Sequence, residues 1–184
     1  MGLLEQFRLL LKRDAPAMVV IPGQPPIAER RSRPRMNARE GTRVLIIDDS
    51  TMIVTVLKKF LRSAGYETLE ALDAESALPL LQLERPELIF LDIMLPGMSG
   101  FSALRAIRRD PRARDIPVIM MSGNEQAVEQ FGGGRTGADD FMKKPFSRRD
   151  LFLRIEGLLN EDLTPCRAKL RIAPQQPFQT IASA

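Results

Sequence analysis

The chain has 184 residues, 44% of them apolar, and its 27 Lys and Arg outnumber 23 Asp and Glu for a net charge of +4. That is enough for one well-buried domain with appendages. The absence of histidine excludes Ser-His-Asp and Cys-His catalysis, His-ligated zinc and a phosphohistidine on this chain, and a single cysteine excludes an internal disulfide.

The opening residues lack a basic leader with a small-residue cleavage site, and Gln6 stands where a myristoylation signal has Ser or Thr. No apolar run is long enough to span a membrane, so a cytoplasmic protein is expected. Residues 3–11 (LLEQFRLLL) place Leu3, Leu4, Phe7, Leu10 and Leu11 on one helical stripe. A helix this short is expected to dock on the domain or on a partner, or to lie on a membrane surface, docking being the more ordinary outcome. The Pro/Arg-rich stretch that follows has no period and reads as a disordered linker. Residues 1–42 carry eight basic and four acidic residues, residues 43–159 sixteen and seventeen, and residues 160–184 three and two. The central block is nearly neutral. The basic leader reads as solvated charge, and a nucleic-acid partner is not expected.

From residue 43 the pattern becomes regular. RVLII is an apolar strand, followed by Ile53, Val56, Leu57, Phe60 and Leu61 at helical spacing and by Gly65 as a stop. ETLEAL is a second strand, and AESALPLLQLE a helix begun by Asp73 and strained by Pro79. ELIFLD is a third strand, LPGMSG a loop, and Phe101, Leu104 and Ile107 mark a helix. IPVIMMS is a fourth strand, followed by a weak helix and the run Gly132–Gly134, read as a loop. FMKKPF contains a fifth strand, and Ser147 with Asp150 opens a last helix through Leu159. Strands apolar throughout, each followed by a helix, predict an α/β fold: a doubly wound, five-stranded parallel sheet covered on both faces. The expected organisation is a leader (1–42), this domain (43–159) and a flexible tail (160–184). The tail is too short for a DNA-binding output module.

Ligands of such sheets bind beyond the carboxyl ends of the strands. Asp48 and Asp49 follow strand one, Asp92 ends strand three, Ser122 ends strand four and Lys144 follows strand five. Three converging acids repel one another unless a cation joins them, and Mg²⁺ suits a few carboxylates and water. With Lys144 and Ser122 for phosphoryl oxygens, the site suits phosphoryl transfer onto an aspartate.

IIDDS, LDIMLPGMSG, VIMMSG and FMKKPF, in this order and spacing, resemble the motifs of response-regulator receiver domains of two-component signalling. The resemblance spans residues 43–159. It implies Asp92 as phosphoacceptor, a Mg²⁺ cofactor ligated directly by Asp49 and through water by Asp48, and the Met94 backbone carbonyl as a further ligand. It also implies Lys144 as the phosphate-contacting lysine, Ser122 as the switch hydroxyl, Phe141 as the aromatic switch where the family often has Tyr, and a cis Lys144–Pro145 bond. Implied partners are a histidine kinase or His-containing phosphotransfer protein, and an effector bound on the surface of the helix after strand four, strand five and the last helix. Dimerisation is left open. The chain is then not an enzyme acting on a separate substrate, but a phosphoacceptor that catalyses its own phosphorylation and dephosphorylation. GRTGADDFMKKPFS resembles single-domain regulators of the chemotaxis-like systems for type IV pili and twitching.

Each residue has a plainer reading: Asp48–Asp49 as a helix cap, Lys143–Lys144 as surface charge, Phe141 as core. For the acidic pair alone the cap is the better reading, but it leaves Asp92 and Lys144 unexplained. The competing functions are a Mg²⁺-dependent phosphatase of the haloacid dehalogenase type and a receiver-like adaptor that works without phosphorylation. The phosphatase requires a second Asp two positions after the nucleophile, where this chain has Met94.

Overall fold

The computed structural model describes residues 36–123 and 137–167. The expected N-terminal helix, most of the linker, the helix after the fourth strand and the Gly132–Gly134 loop lie outside the described residues. Five strands, β1 (Arg43–Ile47), β2 (Glu67–Ala71), β3 (Leu88–Asp92), β4 (Val118–Ser122) and β5 (Asp140–Lys143), form one parallel sheet in the order β2-β1-β3-β4-β5. The helices are α1 (Thr51–Arg62), α2 (Ala74–Glu84), α3 (Gly100–Arg109) and α4 (Arg148–Gly157).

Alternation along the strands builds two cores. Val44 and Ile46 of β1, Leu88 and Phe90 of β3 and Met121 of β4 pack with α1 and α4. Leu45, Ile47, Ile89, Leu91 and Met120 point the other way and pack with α2 and α3. Because both faces are covered, β3 and β4 are buried at every position.

The helix starts are chemically specified. Asp73 caps α2 by accepting the Ser76 N–H at 2.7 Å, and Ser147 with Asp150 forms a full capping box on α4. Helix α2 continues through Pro79, which is exposed and leaves the Glu75 carbonyl without its helical N–H donor.

Packed structure extends past the expected limits of 43–159. Ala38 and Thr42 are buried, and the Ala38 N–H donates to the Tyr66 hydroxyl at 2.9 Å. The tail expected to be flexible from residue 160 begins with an ordered turn. Asn160 Oδ1 accepts the N–H groups of Asp162 and Thr164, and Leu159 bridges Pro165 antiparallel. Arg167 then reaches the base of the sheet, where its guanidinium donates to Asp139 Oδ1 at 3.0 Å and to the carbonyls of Arg114 and Gly137 at 3.1 Å. Arg108 of α3 holds the other oxygen, Asp139 Oδ2, at 2.7 Å, and the Val118 N–H also donates to it. Asp139, with its side chain 2% exposed, is thus fully paired. Burial pulls the Arg108 guanidinium down to about 10, against the opposing pull of Asp139.

Removing one of two arginines from this acid should be tolerated better than removing the acid. Arg167→Ala is expected to lower the unfolding free energy in urea by about 1–2 kcal/mol. Asp139→Ala, which strands two partly buried guanidinium groups, is expected to cost about 3 kcal/mol or more. Equal losses would show that Arg167 does not share the Asp139 charge.

Candidate functional site

The two acids after β1 take different environments. The Asp48 N–H continues the sheet by bonding to the Ala71 carbonyl, and its side chain is completely buried, whereas Asp49 is exposed. Asp92, the last residue of β3, is buried beside Asp48. Lys144 follows β5, held by its N–H to the Ser122 carbonyl at 2.8 Å, and the Lys144–Pro145 bond is cis.

Carboxylate oxygens of Asp48, Asp49 and Asp92 lie within 4.8 Å of one another. Lys144 Nζ is 2.6 Å from Asp48 Oδ2 and 3.0 Å from Asp92 Oδ2. Lys144 thus forms an ion pair with Asp48 Oδ2, and the Ser50 N–H serves Asp48 Oδ1. Asp92 Oδ1 is buried without a hydrogen-bond partner. Burial raises the carboxyls of both Asp48 and Asp92 above their ordinary value of 3.8, with Lys144 opposing and neighbouring acid charge adding to the rise.

The donor set fits a small hard cation. Oxygens on one Mg²⁺ lie at most about 4.2 Å apart, so an approach of well under 1 Å would bring the three carboxylates into range. The unpaired Asp92 Oδ1 and the exposed Asp49 are the free donors, while both Asp48 oxygens are already engaged.

The remaining expected residues sit around this cluster. Ser122 is fully buried at the end of β4, in register with Lys143. Phe141 is buried in the core between the sheet and helices α2 and α3, paired in register with Met120. Met94, two residues after Asp92, is 64% exposed. Asn124 lies outside the described residues.

Gly100 escaped the sequence reading. A Cβ at this position would stand 2.0 Å from the Asp92 carbonyl oxygen and 2.8 Å from Ile93 Cα. The start of α3 therefore rests on the backbone of Asp92 itself, closed by the Gly100 N–H to the Ile93 carbonyl. The signal was a glycine directly after the Ser99 cap, where a helix has no intrinsic use for one.

A doubly wound sheet with an acidic triad and a lysine at its carboxyl edge defines a phosphoacceptor module. Residues 44–156 match the family model of the response regulator receiver domain, and the chain belongs to that family. It is 40% identical over 119 residues to the phosphate regulon transcriptional regulatory protein PhoB of Pseudomonas aeruginosa, covering 65% of this chain and 52% of that protein. The chain spans about half the length of the curated relatives it matches. The chemotaxis protein CheY4 of Vibrio cholerae superposes with a TM-score of 0.60 at 29% identity, over 65% of this chain and 99% of that one. The receiver domain of the sensor histidine kinase PA1611 of P. aeruginosa, solved with magnesium coordinated in its active-site cleft, gives 0.56 at 31% identity, over 63% and 94%. Receiver membership sets aside the haloacid dehalogenase alternative. No helix among the described residues is long and apolar enough to cross a membrane.

Two outcomes follow from the geometry. Gly100→Ala is expected to displace the Asp92 backbone, costing about 3 kcal/mol of stability in urea; an unchanged unfolding free energy would contradict the close approach. The raised Asp92 carboxyl means that the metal-free fold binds its proton more tightly than the unfolded chain does. Its charge therefore costs stability above the folded value, and the cost disappears as pH falls below the unfolded value near 3.8. Asp92→Asn should accordingly stabilise the metal-free protein at pH 7–8, with a smaller gain in melts taken at pH 4.

Proposed function

We propose that this receiver takes a phosphoryl group onto Asp92 from the phosphohistidine of a histidine kinase or phosphotransfer protein. It then signals by phosphorylation-dependent binding to an effector. The observation that carries this reading is the buried, unpartnered Asp92 Oδ1 beside Asp49 and Lys144.

Asp49, Asp92 and the Met94 carbonyl would hold Mg²⁺, with Asp48 acting through water, because its own oxygens serve Ser50 and Lys144. The ion supplies charge neutralisation at the phosphoryl oxygens. An Asp92 oxygen attacks phosphorus as the P–N bond to the donor imidazole breaks; the bond's electron pair leaves with the imidazole nitrogen, which is protonated. Lys144 stands within reach of the same carboxylate and can follow the new charge. Hydrolysis returns Asp92 and inorganic phosphate, so the site catalyses both its own loading and its own clearing.

Ser122, at the same edge of the sheet, would turn its hydroxyl to the phosphoryl group, and Phe141 would repack behind it. The effector surface is then β5, α4 and the segment between β4 and β5. A cytoplasmic location is part of this reading, and service in a pilus or twitching system is what the resemblance of GRTGADDFMKKPFS implies. Residues 1–42 are read as a tether to a partner.

Intact-mass measurement with acetyl phosphate and Mg²⁺ tests the chemistry. One added phosphate is expected, dependent on Mg²⁺ and absent in Asp92→Asn. No adduct and no phosphate release would sink the proposal and favour a phosphorylation-independent adaptor.

A further inference from the structure

The loop from Ile93 to Ser99 follows Asp92 directly and contains Met94, whose carbonyl is a ligand in the proposed reading, and its ends are fixed. The Ile93 N–H donates to the Met121 carbonyl at 3.0 Å, and the Gly100 N–H donates back to the Ile93 carbonyl at 3.0 Å. Its middle is fixed from a different element. Glu75, in the first turn of α2, accepts the Met98 N–H on Oε1 at 3.0 Å. Gly97, at φ +68°, passes so close that a Cβ there would stand 2.8 Å from the same oxygen.

The platform under Glu75 is rigid. Asp73 caps the helix, and Ala74 and Ala77, at 0% and 1% exposure, seat its first turn in the core. A carboxylate on a fixed backbone, accepting from a loop that glycine lets approach, constrains that loop although Glu75 itself is exposed to solvent.

We infer that Glu75 is a positioning residue for the phosphoacceptor site. It holds Gly97 and Met98 so that the preceding turn presents the Met94 carbonyl to the cation. The inference rests on the Mg²⁺ reading above. It assigns Glu75 no contact with metal or phosphate. The hydrogen bond orders the loop before the cation arrives, so its loss appears as weaker cation binding rather than as a weaker fold.

The test is a Mg²⁺ titration of the full chain by calorimetry, with Glu75→Ala and Glu75→Gln beside the parent. Glu75→Ala should weaken Mg²⁺ binding about three- to tenfold, the effect of one hydrogen bond. Glu75→Gln keeps an acceptor oxygen and should bind within about twofold of the parent. Metal-free melting temperatures of all three should agree. Parent-like affinity in Glu75→Ala overturns the inference. So does a loss in Glu75→Gln equal to that in Glu75→Ala, which would assign the effect to charge rather than to the hydrogen bond. Failure of the parent itself to bind Mg²⁺ overturns the metal reading and this inference with it.

Discussion

Three carboxylates gathered at one edge of a hydrophobic sheet are the constraint on which this molecule is organised. Lys144 offsets one charge, leaving two negative charges among Asp48, Asp49 and Asp92. Water cannot screen them well, because Asp48 and Asp92 are buried. The fold tolerates this repulsion because the strands beneath are anchored independently: Ile46, Leu91 and Met121 are entirely buried just below the acids. A divalent cation bound there would cancel the remaining charge.

The opposite end of the sheet holds the counterexample. The Asp139 side chain is as deeply buried as that of Asp92, yet two guanidinium groups and the Val118 N–H satisfy it. Burial alone therefore does not mark function. What separates the two acids is an open lone pair, present on Asp92 Oδ1 and absent from Asp139. Helix α3 runs between them, its first residue packed on the Asp92 carbonyl and its last turn supplying Arg108. The helix thus ties the reactive edge to the structural one.

The order of elements and most of the site could be read in advance for the same reason. In a parallel sheet, apolar runs such as LIFLD need no partner to be recognised, and whatever follows them lands at one edge. Asp73, Ser147 and Asp150 were legible because capping is local chemistry. Asp139 was not, since its arginines lie 31 and 28 residues away in sequence, and ADDF by itself looks like a polar turn. Gly100 was hidden for a related reason: its need for a bare Cα comes from the Asp92 backbone, a contact that exists only once β3 and α3 have packed. Residues 160–167 were read as tail because their anchor, Asp139, had not itself been read.

Strand β5 shows how the two ends of the sheet can speak to each other. It has only four residues, Asp140–Lys143. Before it stands Asp139 with its two arginines, and Asp140 itself is paired to Arg154 of α4. After it stands Lys144, shared between Asp48 and Asp92. Phe141 lies between these charged anchors, seated in the core on the α2 and α3 side. On the proposed reading, a phosphoryl group on Asp92 would compete with Asp48 for Lys144 and so pull on one end of a strand whose other end is held. A strand this short has little room to absorb the displacement along its length. On that reading the aromatic side chain at its second residue would be the element to answer, with Phe141 and the surface around it reading out the acidic site.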